Sequence, residues 1–162
     1  MALALESSQQ VWLKVEHALL NAGATQTGAS PVAQDALLSL KNYLVSKGIN
    51  LLQFVPYSEV DADDADGTGL LDAACTIFAF YVKKEASATA NTVKLFESAT
   101  VDTTATEQSL SMPLAASGQE SFQIYPNGWA QATGTTITQH TTIEGSTDGS
   151  NGGNGFLIVG AA

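Results

Sequence analysis

The sequence predicts a mainly β protein, an antiparallel β-sandwich of the jelly-roll or immunoglobulin-like kind with an N-terminal α-helical region. The central segment 74–98 is rich in β-branched and aromatic residues, which favour strands. Beyond it, turn residues separate short apolar runs at the spacing of an all-β domain. Ahead of it, apolar residues recur every three or four positions, as on one face of a helix. These patterns divide the chain into a helical N-terminal region or arm (1–58), an acidic loop (59–73) and a β-sandwich domain (74–162).

The first predicted helix covers residues 7–22 and carries a single apolar stripe. The stripe consists of Val11, Trp12, Val15, Ala18, Leu19 and Ala22. A short amphipathic helix is marginal in water by itself, so this stripe must be buried against another surface. The candidate partner contact is therefore Trp12, Val15 and Leu19, which pack on the chain's own sandwich, on a sister subunit or on another protein.

The second predicted helix has clear start and stop signals. Ser30 is a candidate N-cap, and Pro31 fits the first helical position. At the other end Lys47 lies in the last turn, and Gly48 fits the position just past the helix. Its predicted apolar face consists of Ala33, Ala36, Leu37, Leu40 and Leu44. The following segment, 49–56, is expected to be a strand or an extended stretch.

Two strands are predicted within residues 74–98, and we expect them to form a hairpin. The first reads ACTIFAFYVKK and the second TVKLFES, with the small-residue loop EASATAN between them. In the second strand Val93 and Leu95 share one face, while Lys94 occupies a polar position between them. The only cysteine, Cys75, lies in the first strand and is predicted to be a buried, inert thiol.

The remaining chain is predicted to supply the other strands of the sandwich. Residues 121–126 alternate between apolar and polar side chains, and Asn127-Gly128 directly afterwards is a strong turn signal. The final segment, 156–161, is continuously apolar and fits the interior of a sheet. The other predicted strands are 110–116, with Pro113 marking a sheet edge, and one or two threonine-rich strands within 129–143.

The charge balance argues against nucleic acid and against anionic membrane surfaces as partners. The net charge is −10, and all six basic residues are lysines. Proteins that bind phosphates or anionic lipids concentrate basic residues, which this sequence does not do. No segment has the length and apolarity of a membrane span, and the first residues do not resemble a secretory signal. We therefore expect the protein to be made in a cytoplasm and to stay soluble or join an assembly there.

The sequence shows no pattern typical of a catalytic, cofactor or metal site, and we predict that the protein is not an enzyme. A pairing of Cys75 with His140 is conceivable, but we expect the cysteine to be buried. The acidic segment 59–72 holds six of the sixteen acidic residues and raises the possibility of a calcium loop. Counting from Asp64, however, the twelfth position is Cys75 and not a bidentate glutamate. A solvated or partner-facing acidic loop is therefore favoured over a calcium site.

From residue 81 onward the order of segments resembles a β-sandwich domain found in structural proteins of bacteriophages. The most specific part of the resemblance is the corner Tyr125-Pro126-Asn127-Gly128. The other matching pieces are Val93-Lys94-Leu95-Phe96, Met112-Pro113-Leu114-Ala115, Thr133-Gly134 and Phe156-Leu157-Ile158-Val159. The resemblance covers about the C-terminal half, and the helical N-terminal region falls outside it.

The resemblance implies a virion component of a tailed phage, above all a capsid decoration or cement protein. Such a protein binds the outside of the phage head and stabilises contacts between major capsid subunits. The implied partners are the major capsid protein and further copies of the chain, as a dimer or trimer, and the implied location is the capsid surface after assembly in the host cytoplasm. No cofactor is implied. An alternative is a tail- or fibre-associated sandwich module that binds a host glycan or a virion protein, and a hydrolase on a sandwich scaffold ranks last.

Overall fold

The computed structural model describes residues 1–20, 29–57, 68–84, 91–99, 110–114, 119–140 and 153–162. Within these ranges the chain forms two helices and nine strands. The helices are α1 (Ser8–Leu20) and α2 (Pro31–Ser46). The strands are β1 (Glu6–Ser7), β2 (Leu51–Tyr57), β3 (Thr68–Leu71), β4 (Cys75–Lys84), β5 (Asn91–Phe96), β6 (Leu110–Leu114), β7 (Glu120–Gln131), β8 (Thr135–His140) and β9 (Gly153–Gly160).

The strands pair antiparallel in two sheets, which confirms the predicted sandwich class. The five-stranded sheet has the order β1-β2-β9-β4-β7, and the four-stranded sheet has the order β3-β8-β5-β6. The first half of the sandwich pairs with the second half in nested fashion: β2 with β9, β3 with β8, β4 with β7 and β5 with β6. Strand β4 also pairs with β9, and β5 also pairs with β8, so the four strand pairs are joined into two sheets. This nested order is that of an eight-stranded jelly roll, to which β1 adds an edge.

The predicted hairpin within residues 74–98 is wrong, because β4 and β5 lie in different sheets. Both segments are strands, as the residue types indicate. However, β4 has its two neighbours in β7 and β9, whereas β5 has its neighbours in β6 and β8. In a jelly roll many successive strands lie in opposite sheets, as β4 and β5 do here, so strands adjacent in sequence need not pair.

Asn127 and Gly128 lie in a large bulge within β7, where the sequence predicted a turn between two strands. Both sides of the signal pair with β4, because Ile124 lies opposite Ala79 and Trp129 lies opposite Ile77. Four residues of β7 thus bulge out opposite a single residue of β4. The bulge also shifts the register of β4, and such shifts are typical of bulges in antiparallel pairs.

Two apolar cores hold three layers together. The first core fills the space between the sheets, and the second lies between the helices and the outer face of the five-stranded sheet. Strand β4 contributes to both: Phe80 and Val82 face the other sheet, while Ala79 and Tyr81 face the helices. A strand covered on both faces is apolar on both faces, which explains the continuous apolar runs of β4 and β9. The predicted interior position of the final strand is confirmed, since β9 lies between β2 and β4.

The structure does not separate the N-terminal region from the sandwich at residue 58. Strands β1 and β2 precede that boundary and lie in the five-stranded sheet beside β9. Strand β3 begins within the predicted acidic loop and pairs with β8 in the other sheet. The helices therefore form an integral layer of the molecule, and the description of an arm does not fit them.

The predicted limits of the second helix are confirmed. The hydroxyl of Ser30 accepts a hydrogen bond from the amide of Ala33, and Pro31 stands at the first helical position. At the far end Gly48 has φ +72, the left-handed conformation that ends many helices. These signals are local in sequence, so they could be recognised before any tertiary contact was known.

Candidate functional site

The two helices lie antiparallel on the five-stranded sheet. The amide of Ala29, just ahead of α2, donates to the carbonyl of Leu19 near the end of α1 at 2.7 Å. The amide of Ser8 at the start of α1 donates to the carbonyl of Asn50, beyond the end of α2, at 2.7 Å. Each end of the helix pair is thus tied by a backbone hydrogen bond, and the two helices form one surface.

A groove of 310 Å³ runs between α1 and α2. Its floor is apolar and includes Trp12, Val15 and Leu37. One ion pair crosses it, with Lys41 Nζ 3.5 Å from the carboxylate of Glu16. Both charged side chains are partly exposed, so the pair adds little to stability. The groove is therefore an apolar depression with one polar bridge over it.

The structure places the three predicted contact residues at the base of this surface. Trp12, Val15 and Leu19 are 3%, 1% and 6% exposed, and they belong to the core between the helices and the sheet. Of the alternatives considered for the stripe, packing on the chain's own sandwich describes its position here. The Trp12 indole nitrogen is buried and has no hydrogen-bond partner among the residues that the structure describes. These residues form the floor of the groove, and other side chains of the two helices form the accessible surface around it.

Four large aliphatic residues of the two helices remain exposed, and two of them line the groove. Leu13 and Leu20 on α1 are 61% and 71% exposed, and Leu38 and Val45 on α2 are 54% and 53% exposed. Leu20 and Leu38 line the groove directly. In each helix the second residue of the pair lies seven positions from the first, which is two turns along the same face. The sequence analysis missed them, although aliphatic residues outside the buried stripe of an amphipathic helix were the available signal.

The helical surface is electrically neutral although the protein is strongly acidic. Helix α1 carries Lys14 and Glu16, and helix α2 carries Asp35 and Lys41. With neutral histidine these charges cancel, so the whole net charge of −10 resides outside the two helices. Charged groups repel like-charged copies of a protein, and a neutral apolar face lacks that protection.

The N-terminus of α2 is anchored to the sheet through Glu120 on β7. The carboxylate of Glu120 accepts hydrogen bonds from the Ser30 hydroxyl, from the Ser30 amide at 3.1 Å and from the Tyr81 hydroxyl at 2.7 Å. Lys83 lies directly opposite Glu120 in the β4–β7 pairing.

Burial by itself raises the pKa of Glu120, but the hydrogen bonds from Ser30 and Tyr81 and the charge of Lys83 outweigh burial and lower it. The pKa of Tyr81 is raised, first by burial and then by the bond to Glu120. Because the carboxylate stays charged beside a helix N-terminus, it stabilises the position of α2.

A second contact holds the other half of α2 to the bulge in β7. The Tyr43 hydroxyl donates to Asn127 Oδ1 at 2.8 Å. The ammonium group of Lys47 lies 5.4 Å from the centre of the Tyr43 ring. Thus the corner that carried the most specific part of the sequence resemblance serves in this structure as an attachment point for α2.

Cys75 and His140, the pair considered for catalysis, are not brought together. The Cys75 thiol is fully buried, as predicted, and its sulfur lies 4.0 Å from Thr135 Oγ1. Burial raises the pKa of Cys75, while the hydrogen bond to Thr135 lowers it by less. His140 lies five residues beyond Thr135 on the same strand, which corresponds to roughly 16 Å of extended chain. The backbone positions therefore separate Cys75 from His140.

Few of the other candidates for a site fall within the part of the chain that the structure describes. Among the described residues, no group of three or more His, Cys, Asp or Glu side chains is placed to hold a metal ion. Most of the acidic segment considered for calcium lies outside the described residues. Neither described helix has the length and apolarity to cross a membrane. On β5, Lys94 is buried where a polar surface position was expected, and burial lowers its pKa.

Comparison of the chain with protein-family models, with curated proteins and with solved structures found no match. The resemblance to phage structural proteins therefore rests on the residues quoted above. The arrangement of the described residues offers an interaction surface, the neutral helical face with its groove, and that face is the candidate functional site.

Proposed function

We propose that the protein is a non-enzymatic structural component of a tailed-phage virion, a decoration protein that binds the outside of the head. The observation that carries the proposal is the jelly-roll strand order, an architecture used repeatedly by viral capsid proteins. Because one fold serves many functions, the proposal also draws on the phage-like segments of the C-terminal half and on the exposed apolar helical face. The partners in this proposal are the major capsid protein and further copies of the chain.

The proposed role requires a rigid protein. Apolar cores on both sides of the five-stranded sheet connect the three layers, and α2 is fixed to β7 at two points. A rigid body can contact neighbouring shell subunits without a large loss of conformational entropy. Binding to the assembled shell but not to free subunits stabilises the shell by mass action.

The proposal is tested with expanded capsid shells that are assembled from the accompanying major capsid protein and lack this chain. We expect saturable binding at a fixed ratio to the shell subunit, together with a higher melting temperature of the shell. An unrelated protein of similar size and net charge serves as the control for nonspecific adsorption. Absence of saturable binding, or binding without any change in shell melting, would contradict the decoration role.

A tail- or fibre-associated binding module is the second candidate, and one observation favours it. Tyr125 and Trp129 lie on the edge strand β7 with ring centroids 5.4 Å apart, and both are only partly buried. Lectins share the jelly-roll architecture and often bind sugars through aromatic rings. Quenching or enhancement of Trp129 fluorescence by a glycan, absent in Trp129→Phe, would support this candidate. Failure to bind shells together with such a signal would replace the first proposal with the second.

A further inference from the structure

We propose that the groove between α1 and α2 is a self-association surface, occupied by the same face of a second copy of this chain. The inference deepens the proposed function, on which it rests for its biological setting, by naming the face through which copies meet. The antiparallel helix pair presents the exposed residues Leu13, Leu20, Leu38 and Val45, together with an apolar groove, to a two-fold related copy.

Large aliphatic residues are exposed on both helices. The four side chains are all more than half exposed, although the core beneath them is complete. Two of them lie on each helix, so the surface has a depression in the middle and aliphatic ridges beside it. Ridges that fit into grooves are the usual basis of helix packing. A surface with both features is complementary to a copy of itself rotated by a two-fold axis.

The distribution of charge favours a copy of this chain over a basic partner as the occupant of the groove. The net charge of −10 lies outside the helices, so two copies repel each other through most of their surfaces. Three charged side chains, Glu16, Asp35 and Lys41, line the groove, and Glu16 and Lys41 form an ion pair across it. Lys14 of α1 pairs instead with Glu6 on β1, so the groove lining carries one net negative charge. A basic partner would instead be drawn to the acidic remainder of the molecule. The groove, whose lining carries only one net negative charge, is therefore a surface on which a like-charged copy meets little repulsion.

The area of the helical face predicts how strongly two copies associate. Helices of 13 and 16 residues are roughly 20 and 24 Å long at 1.5 Å per residue. Side by side, they offer a face of roughly 450 Å² per copy, or about 900 Å² in total. This area lies between crystal contacts and standard interfaces, so we expect a weak, reversible dimer with a dissociation constant of roughly 10 to 1,000 μM. High local density on a repetitive assembly favours such a dimer.

Sedimentation equilibrium of the full chain over a wide concentration range is the direct test. We expect a monomer–dimer equilibrium that Leu20→Glu and Leu38→Glu each weaken about tenfold or more, because each places a carboxylate in an apolar contact. The matched control is Leu51→Glu. Leu51 is 58% exposed but lies on β2 beside a different depression, so the control makes the same chemical change away from the helical face. Thermal melting checks that all three variants remain folded, as expected for exposed positions.

Salt dependence distinguishes a second copy from other occupants. Raising ionic strength from about 0.01 M to about 0.15 M shortens the Debye length from about 30 Å to about 8 Å. Screening the repulsion between two acidic bodies should tighten the self-association, whereas attraction to a basic partner would weaken. A chain that stays monomeric at millimolar concentration would overturn the inference, and so would a dimer weakened by Leu51→Glu but not by Leu38→Glu.

The outcome for the inference is separable from the outcome for the proposed function. Shell binding is measured well below the dimer dissociation constant, where the chain is monomeric. Loss of shell binding with an intact, Leu38-sensitive dimer would count against the decoration role alone. A monomer whose shell binding is abolished by Leu38→Glu would assign the groove to the shell subunit and remove the self-association.

Discussion

At the scale of single residues, two glycines with positive φ do different work. Gly128, in the β7 bulge, has φ +79, and a Cβ added there would lie 2.3 Å from Thr76 Cγ2. Gly48, after α2, has φ +72, but a Cβ added there would meet no described residue within 4 Å. Both positions favour glycine through backbone conformation. Only Gly128 also needs the absence of a side chain, because the bulge presses on β4.

This difference predicts unequal costs for the same substitution. Gly48→Ala should lower the free energy of unfolding by about 1 kcal/mol, the cost of a left-handed conformation for alanine. Gly128→Ala should cost about 2 to 4 kcal/mol, because the clash with Thr76 adds to the conformational strain. Chemical denaturation of both variants measures the difference. Equal losses would show that the bulge relaxes around the new methyl group.

At the scale of elements, α2 is positioned by polar contacts in addition to its apolar face. Glu120 receives three hydrogen bonds that link β7, β4 and the start of α2, and Tyr43 links the middle of α2 to the bulge. Since Glu120 has a lowered pKa, its contribution to stability is present above the unfolded-state value of about 4.3. The contribution is lost as the pH falls through the lower folded-state pKa.

Glu120→Gln should therefore destabilise the protein by about 1 kcal/mol at neutral pH, a figure reduced for a carboxylate that is only partly buried. The difference in unfolding free energy between wild type and variant should begin to shrink once the pH falls below the unfolded-state pKa of about 4.3, and it should be lost as the pH falls through the lower folded-state pKa of Glu120. Glu16→Gln is the matched control, because its carboxylate is exposed in a surface ion pair and should change stability by less than about 0.5 kcal/mol. A difference that does not shrink below the unfolded-state pKa of about 4.3 would mean that charge is not the source of the effect.

At the scale of the whole molecule, the helices complete a three-layer structure. They cover the outer face of the five-stranded sheet, where Leu52, Tyr81, Phe156 and Ile158 are buried against them. Jelly-roll pairing joins strands far apart in sequence, so many of the contacts form late and together. The layers are expected to unfold as one cooperative unit, in contrast to a sandwich with a detachable arm.

A truncated chain comprising residues 50–162 tests this expectation. Removing both helices exposes a large apolar sheet face, which should leave the remaining strands aggregated or lacking fixed tertiary packing. Near-UV circular dichroism and size-exclusion chromatography measure the outcome, with the full chain as reference. A monomeric truncated chain with a sharp thermal transition would show that the sandwich is independent of its helical layer.

The sequence by itself determined the features that depend on neighbouring residues. The ends of α2 follow from Ser30, Pro31 and Gly48, each of which acts through local backbone geometry. The buried faces of both helices and the interior character of β9 follow from the spacing of apolar residues. The fold class could be predicted because strand composition and turn spacing are also local properties.

Only the tertiary structure decided which strands pair, how the Asn127-Gly128 signal is used and where the interaction surface lies. Strand composition favours pairing without naming the partner, so β4 and β5 were assigned to one hairpin although they lie in different sheets. The groove between α1 and α2 exists because both helices rest on one sheet face at a particular separation, and no segment of sequence encodes that separation alone. For the same reason Leu20 and Leu38 line one groove only in the folded chain, because the relative positions of distant segments are set by the packing of all three layers together.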